Sequence, residues 1–201
     1  MRKGTFSIEG FLAKQRASMA NRLISGSHRK GRILDIGCGE WPFFLIDTQF
    51  SKKYGLDRLC FKIDKKNANI SKVNLINYNI ESNGLLPFKD SSFSVVTMLA
   101  SIEHIEPSLL VKLIDEIYRV LVIDGKLIIT FPTGWTDKLL WLMGKFNVVN
   151  NELYSEHKDN YNVSKVRLVI ERTKFGENGE MRYGYFEILM NVWVTIKKNN
   201  R

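Results

Sequence analysis

Apolar and polar positions follow two alternating periods along this chain, and the two periods predict strands and helices in turn. Short apolar or β-branched runs bounded by polar residues and glycine predict five successive strands at 32–36, 52–57, 73–79, 94–99 and 126–131. Between the last two of these, residues 107–121 carry apolar side chains at helical spacing, and Pro107 suits the first turn of a helix. Strands that alternate with helices predict right-handed crossovers and a parallel sheet.

The pattern changes at both ends of the chain. Residues 7–25 predict an amphipathic helix, with its apolar face formed by Ile8, Phe11, Leu12, Met19, Leu23 and Ile24. Asp124-Gly125 predicts a turn before the fifth strand. After a helix at about 163–173, two strand-like stretches at 180–187 and 189–198 follow with a short link, so they are expected to be antiparallel neighbours.

Composition indicates one globular domain, 1–201, with residues 1–30 as an N-terminal helical extension. Apolar residues make up 44% of the chain and charged residues 25%. The net charge of +9 is compatible with an acidic partner, but its densest groups are lysine pairs without a nucleic-acid motif, which favours a solvated basic surface. No apolar signal region or membrane-spanning run is present, so a cytoplasmic protein is expected.

Two cysteines, Cys38 and Cys60, occur without a CxxC pair. They indicate neither a disulfide framework nor a zinc site, and no other metal site is expected. This cysteine usage fits a reducing compartment.

The segment ILDIGCGEWPFFL (33–45) carries the main chemical signal, because its glycines let the backbone turn sharply and approach a ligand. It resembles the first motif of the class I S-adenosylmethionine-dependent methyltransferases, of the type-11-like group. The resemblance implies that S-adenosyl-L-methionine is the cofactor. It places the methionine part of that cofactor at Asp35, Gly37, Cys38 and Gly39. Trp41 stands where the family has its third glycine.

Further matches to this family follow in order. Asp57 ends the second strand, where an acidic residue accepts hydrogen bonds from ribose hydroxyls, although a helix N-cap is an equal explanation. Asn79 and Ile80 follow the third strand, where the family contacts adenine, and Leu99 ends the fourth. LPFKDSSFSVVTMLASIEHIEP (86–107), with Ser94 for the usual Asp, and RVLVIDGKLIITFP (119–132) also resemble family segments.

The resemblance implies a doubly wound α/β fold, with a seven-stranded, mostly parallel sheet in the order 3-2-1-4-5-7-6 and an antiparallel last strand. NAD(P) binding is the competing interpretation of the glycine loop. GCGEWP lacks the GxGxxG spacing, however, so methyl transfer is favoured.

Glu103 and His104 follow the fourth strand, at the edge where open α/β sheets bind ligands, and are the candidate catalytic residues. His104 could act as a general base toward a hydroxyl acceptor. It could equally pack over the cofactor or cap the next helix.

The acceptor is expected to be a small molecule, such as a glycan or a lipid-linked precursor. An RNA or protein methyltransferase and a non-catalytic cofactor-binding module remain alternatives. Residues 133–160 interrupt the strand–helix alternation and predict a substrate lid. Trp135 and Trp141 favour an apolar lid over the substrate or a contact with a membrane surface. The alternative is that the segment is part of the ordinary hydrophobic core.

Overall fold

One sheet organises the part of the chain that the computed structural model describes, residues 8–60, 72–134, 161–187 and 190–200. Its seven strands are β1 (Arg32–Ile36), β2 (Lys52–Asp57), β3 (Val73–Asn77), β4 (Phe93–Leu99), β5 (Leu121–Pro132), β6 (Gly179–Phe186) and β7 (Asn191–Lys198). Their order is β3-β2-β1-β4-β5-β7-β6. The first five are parallel, and β7 is antiparallel to both β5 and β6. The expected fold class and strand order are therefore confirmed.

Helices and short helical turns connect these strands. They are α1 (Ile8–Leu23), α2 (Gly26–Arg29), α3 (Phe43–Asp47), α4 (Ile80–Asn83), α5 (Pro107–Val120), α6 (Val163–Glu171) and α7 (Lys174–Asn178), with a 3₁₀ turn at Ile102–His104. The helix expected at 163–173 is thus α6, and a short second helix follows it.

The sheet is covered on both faces, as a parallel sheet requires. Successive residues of a strand point to opposite faces. Ile33, Val95 and Ile128 accordingly pack in one buried cluster with α1 and α3, whereas Leu34, Val96 and Leu127 pack in another with α5, α6 and α7. The strands are apolar on both sides because both faces of the sheet are buried.

Helix α1 is present as expected, but its buried face differs from the prediction. Ala17 and Ala20 are fully buried, whereas Phe11 is exposed. Small side chains allow the helix to lie close to the sheet. At the end of the predicted face, Ile24 is buried and Leu23 packs against the same cluster. The periodicity of large apolar residues therefore identified this end of the face and overlooked the two alanines.

The turn expected at Asp124-Gly125 is a bulge inside β5 instead. Between the pairs Phe93–Leu121 and Val95–Lys126, β4 advances by two residues while β5 advances by five. Asp124 has a positive φ of 62°, and its carboxylate forms a 2.6 Å ion pair with Lys197 of β7. The backbone turns locally as predicted, yet pairing resumes on the same partner strand.

The carboxyl ends of β1 to β5 lie along one edge of the sheet, called here the carboxyl edge. The turn between β6 and β7 joins the same edge, because Asn191 at the start of β7 pairs with Pro132 at the end of β5. Residues 135–160, which include most of the expected lid with Trp135 and Trp141, lie outside the described residues. In the described ranges, no helix is long and apolar enough to cross a membrane.

Candidate active site

The glycine loop after β1 is held between its two neighbouring strands. Gly37 donates its backbone N–H to the carbonyl of Leu56 over 2.8 Å. A Cβ at Gly37 would lie 2.5 Å from the Cβ of Ser101, and its φ is +77°. A side chain at Gly37 would therefore clash with Ser101 rather than with a ligand, so glycine is needed here for packing.

Gly39 differs, because a Cβ built on it would meet no atom of the described residues within 4 Å. Its φ of +69° favours glycine for conformational reasons. The space above it is open toward the carboxyl edge. This open cradle is the part of the loop that a ligand can approach.

Asp57 connects the end of β2 to the glycine loop. Its Oδ2 accepts the N–H of Gly39, and its Oδ1 accepts the N–H of Leu59, each over 2.8 Å. The carboxylate thus accepts the N–H two residues further on, as a capping side chain does, and it also contacts the loop, but no helix is described directly after Asp57. A half-buried carboxylate beside the open cradle can also accept hydrogen bonds from ligand hydroxyls.

Asp35 is buried at the end of β1 and accepts a hydrogen bond from the Thr97 hydroxyl on β4, with 2.6 Å between the oxygens. Burial raises the pKa of Asp35 to about 7, the Thr97 hydrogen bond opposes the rise, and the Asp57 carboxylate adds to it. Near neutral pH, this carboxyl group therefore exchanges readily between its neutral and charged forms.

The other predicted cofactor residues lie on the same edge but in different settings. The thiol of Cys38 is buried below the loop, so Cys38 can meet a ligand only through its backbone. Asn79 is exposed, and its side-chain oxygen accepts the N–H of Glu81, which caps α4. Ile80 and Leu99 are half-buried against the two apolar clusters.

The two departures from the family motifs fall in different places. Trp41 is half exposed beside the glycine loop, so its bulk projects outward while the loop keeps positive φ at Gly37 and Gly39. Ser94 lies at the opposite end of the sheet, where its hydroxyl lies 2.7 Å from the carbonyl of His28 and 3.0 Å from that of Arg32. The serine at position 94 therefore does not touch the carboxyl edge.

The chain beyond β4 forms the second half of this edge. Ala100 adopts a φ of +50°, and its N–H donates to the carbonyl of Thr130 over 2.9 Å. The 3₁₀ turn then buries Glu103 and leaves His104 half-buried. A left-handed backbone at a residue with a side chain costs free energy and often accompanies a functional site.

A polar cluster that sequence reasoning missed lies on the same side of the edge. Arg16 of α1 interacts electrostatically with Glu103 and with Glu187, which follows β6 with a φ of +54°. Glu187 accepts a hydrogen bond from the amide nitrogen of Asn191. Oε1 of Glu187 and Oδ1 of Asn191 are buried and have no hydrogen-bond partner in the described part of the chain.

Burial dominates the electrostatics of this cluster. Burial raises the pKa of the Glu187 carboxyl group, although Arg16 and the Asn191 hydrogen bond oppose the rise. Burial likewise lowers the pKa of Arg16, against the attraction of the two glutamates. The four residues come from positions 16, 103, 187 and 191, so no local spacing in the sequence could have joined them.

The fold is that of the Rossmann-like class I methyltransferases. Residues 34–129, slightly less than half of the chain, match a family model described as a methyltransferase domain. These residues are therefore similar to a methyltransferase domain, and the cofactor that the similarity implies is S-adenosylmethionine.

Several solved structures share this fold. A SAM-dependent methyltransferase of Thermotoga maritima aligns with a TM-score of 0.69 at 18% identity, covering 96% of this chain and 92% of its own. One from Archaeoglobus fulgidus aligns with a TM-score of 0.63 at 15% identity, covering 94% of each chain. A protein of Pyrococcus horikoshii OT3 aligns with a TM-score of 0.67 at 18% identity, covering 98% of this chain and 93% of its own. No curated protein matches the sequence significantly.

The residues on the carboxyl edge fit this cofactor. The open face of Gly39 leaves room that a Cβ would otherwise fill. The Asp57 carboxylate contacts the N–H of Gly39, and Asp35 lies buried at the end of β1. Both carboxyl groups can accept hydrogen bonds from amino and hydroxyl groups. S-adenosylmethionine carries both kinds of donor.

Proposed function

We propose that this protein transfers a methyl group from S-adenosylmethionine to an oxygen, nitrogen or carbon atom of a small molecule. The observation that carries the proposal is the open cradle at Gly39 beside the Asp57 carboxylate, on the carboxyl edge of a sheet with the methyltransferase strand order. The cofactor supplies a methyl group that its sulfonium already activates. The work of the protein is then mainly to bind, orient and exclude water.

Each predicted cofactor residue receives a role in this proposal. Asp57 accepts hydrogen bonds from the ribose hydroxyls, and Asp35 contacts the amino group of the methionine part directly or through water. Gly37, Cys38 and Gly39 approach the methionine part through the backbone. Asn79 and Ile80 bind the adenine ring from the end of β3, and Leu99 packs beside it.

The buried polar cluster supports a particular kind of acceptor. Two oxygen atoms of this cluster, Oε1 of Glu187 and Oδ1 of Asn191, have no hydrogen-bond partner among the described residues. Both can act as hydrogen-bond acceptors. A buried acceptor atom without a partner costs free energy that a ligand's donor can recover. An acceptor molecule that carries hydroxyl or amino groups, as a glycan or a lipid-linked glycan precursor does, fits this requirement.

The class of acceptor can be tested with a methyl-labelled cofactor. Purified protein is incubated with labelled S-adenosylmethionine and a cell extract, and the extract is then separated into organic-soluble, small aqueous and acid-insoluble fractions. We expect label in one of the first two fractions, and about ten- to hundredfold less with the Asp57→Asn variant when the cofactor is below saturation. Label confined to acid-insoluble RNA or protein would contradict the small-molecule proposal, and no label in any fraction would favour a binding module without activity.

We propose that His104 is the general base for a hydroxyl or amino acceptor, with Glu103 fixing its position. His104→Ala should then lower methyl transfer to the labelled fraction about 10²- to 10⁴-fold, the usual contribution of a positioned base. Glu103→Gln, which keeps the size of the side chain, should lower it less. S-adenosylhomocysteine affinity should be unchanged in both variants, as measured by calorimetry. A His104→Ala variant with nearly native transfer would show that the imidazole only packs.

A further inference from the structure

The two cysteines, which lie 22 positions apart in the sequence, meet below the glycine loop. Cys38 stands between the two glycines of that loop, and Cys60 lies three residues after Asp57. Their sulfur atoms are 3.8 Å apart, both side chains are buried, and both thiols are free. Sequence spacing gave no sign of this pairing.

The pair occupies space that a neighbouring glycine provides. A Cβ built on Gly55 of β2 would lie 2.8 Å from the sulfur of Cys38. Cys38 and Cys60 pack in the same apolar cluster as Leu45 and Val73. The thiols therefore face each other from the loop and from the turn after β2, with no other side chain between them.

The pair also joins the two segments that we assign to the cofactor. Two hydrogen bonds also link the loop to the end of β2, from the Gly37 N–H to the Leu56 carbonyl and from the Gly39 N–H to the Asp57 carboxylate. A change in the distance between the two sulfurs that side-chain rotation does not absorb therefore moves the glycine loop relative to Asp57.

The thiols differ in their tendency to lose a proton. The hydrogen bond between the thiols lowers the pKa of Cys60 and raises the pKa of Cys38. Burial raises the pKa of Cys38 further. Because the thiolate is the reactive form of cysteine, Cys60 is the thiol that reacts first with an oxidant.

We propose that Cys38 and Cys60 form a redox modification site, in which a peroxide oxidises the pair to a disulfide that weakens cofactor binding. The Cys60 thiolate attacks the peroxide, takes up one oxygen to become a sulfenic acid, and releases water or an alcohol. The Cys38 thiol then attacks the Cys60 sulfur, the S–S bond forms, and the sulfenic oxygen leaves as water. The two thiols lose two electrons and two protons, and the peroxide takes them up.

The disulfide weakens binding because it shortens the link below the loop. An S–S bond is about 2.05 Å long, so the sulfurs must approach each other substantially from their 3.8 Å separation. The loop is drawn toward Asp57, which already accepts the Gly39 N–H, and the space for ribose hydroxyls narrows. This effect rests on the proposed function, whereas formation of the disulfide does not.

The experiment treats the full-length protein with graded hydrogen peroxide, blocks remaining thiols, and maps peptides without reduction. We expect a Cys38–Cys60 linkage, and a loss of S-adenosylhomocysteine affinity of tenfold or more that dithiothreitol reverses. Since coupling between sites is reciprocal, saturating S-adenosylhomocysteine should slow formation of the linkage.

Cys60→Ser is the matched control, with Cys60→Ala as a second variant if the serine impairs folding. Either should bind the ligand as the reduced wild type does, and its affinity should not respond to peroxide. A map without the linkage overturns the site, even if single cysteines are oxidised. A disulfide with affinity within twofold of the reduced protein overturns its effect on binding. If the reduced protein does not bind the ligand at all, the proposed function fails, and the peptide map alone decides whether the pair is a modification site.

Discussion

At the scale of single residues, Asp35 is a carboxyl group that the fold removes from water. It is buried at the end of β1 with one hydroxyl donor, Thr97, and its pKa is raised to about 7. Between its ordinary value of 3.8 and about 7, the folded protein therefore holds a proton that the unfolded chain has lost. Stability contributed by this group is present at low pH and declines as the pH rises toward 7.

This linkage predicts the behaviour of Asp35→Asn, whose amide keeps an oxygen for the Thr97 hydroxyl. The variant should gain stability relative to wild type as the pH rises from 5.5 to 8, by about 2 kcal/mol, because it has no charge to bury. Urea unfolding of both proteins at the two pH values measures the gain. A stability difference that does not change with pH would contradict the raised pKa.

The residue scale also shows what the sequence could and could not predict. Asp35, Gly37, Gly39 and Asp57 were found because they lie in short motifs that directly follow strands. The partners that define their chemistry, such as Thr97 on β4, are distant in sequence and belong to no motif. Capping by Asp57 was weighed as an alternative to ligand binding, and the structure shows its carboxylate accepting the N–H groups of Gly39 and Leu59.

At the scale of elements, two of the family-like segments are joined by Arg119 in the last turn of α5. Its guanidinium donates to the carbonyls of Phe88 over 2.8 Å and of Leu86 over 3.1 Å. It also pairs with Asp90 and Glu116. Arg119 thereby fixes the strand-free segment before β4 to the helix, which gives the LPF and RVL motifs a structural function.

Replacing Arg119 by Ala should lower the free energy of unfolding by about 1.5–3 kcal/mol, the range for hydrogen bonds to a charged group. The affinity of the folded protein for S-adenosylhomocysteine should stay native, because Arg119 does not lie on the carboxyl edge. Arg182→Ala is the control. Its pairing with Glu180 is well exposed, so we expect a loss below about 1 kcal/mol. Equal losses in the two variants would contradict the assigned role of Arg119.

Helices and strands were easiest to predict where the apolar residues followed a single spacing along the sequence. Helix α5 has a continuous apolar face, and its predicted span of 107–121 differs from the observed Pro107–Val120 by one residue. Helix α1 was found, but its buried face is built on Ala17 and Ala20, which a count of large apolar residues overlooks. The bulge in β5 followed the expected turn chemistry at Asp124, and only the pairing with β4 shows that the strand continues.

At the scale of the whole molecule, strand order was predictable because a known family joins the same sequence of elements in one way. Contacts between distant parts of the chain were not predictable. The cluster of Arg16, Glu103, Glu187 and Asn191 and the pair of Cys38 and Cys60 exist only because the fold brings separate segments to one edge. These two groups of side chains therefore needed the structure, whereas the glycine loop and Asp57 could be singled out in the sequence.

Calorimetric titration of the reduced protein with S-adenosylhomocysteine, with NAD as the competing ligand, tests the central claim most directly. We predict that S-adenosylhomocysteine binds and raises the melting temperature, and that NAD at the same concentration does neither. Asp57→Asn should lose about 1.5–3 kcal/mol of binding free energy, roughly a ten- to hundredfold weaker affinity. Binding of NAD without binding of S-adenosylhomocysteine, or native affinity in Asp57→Asn, would contradict the cofactor site described for this protein.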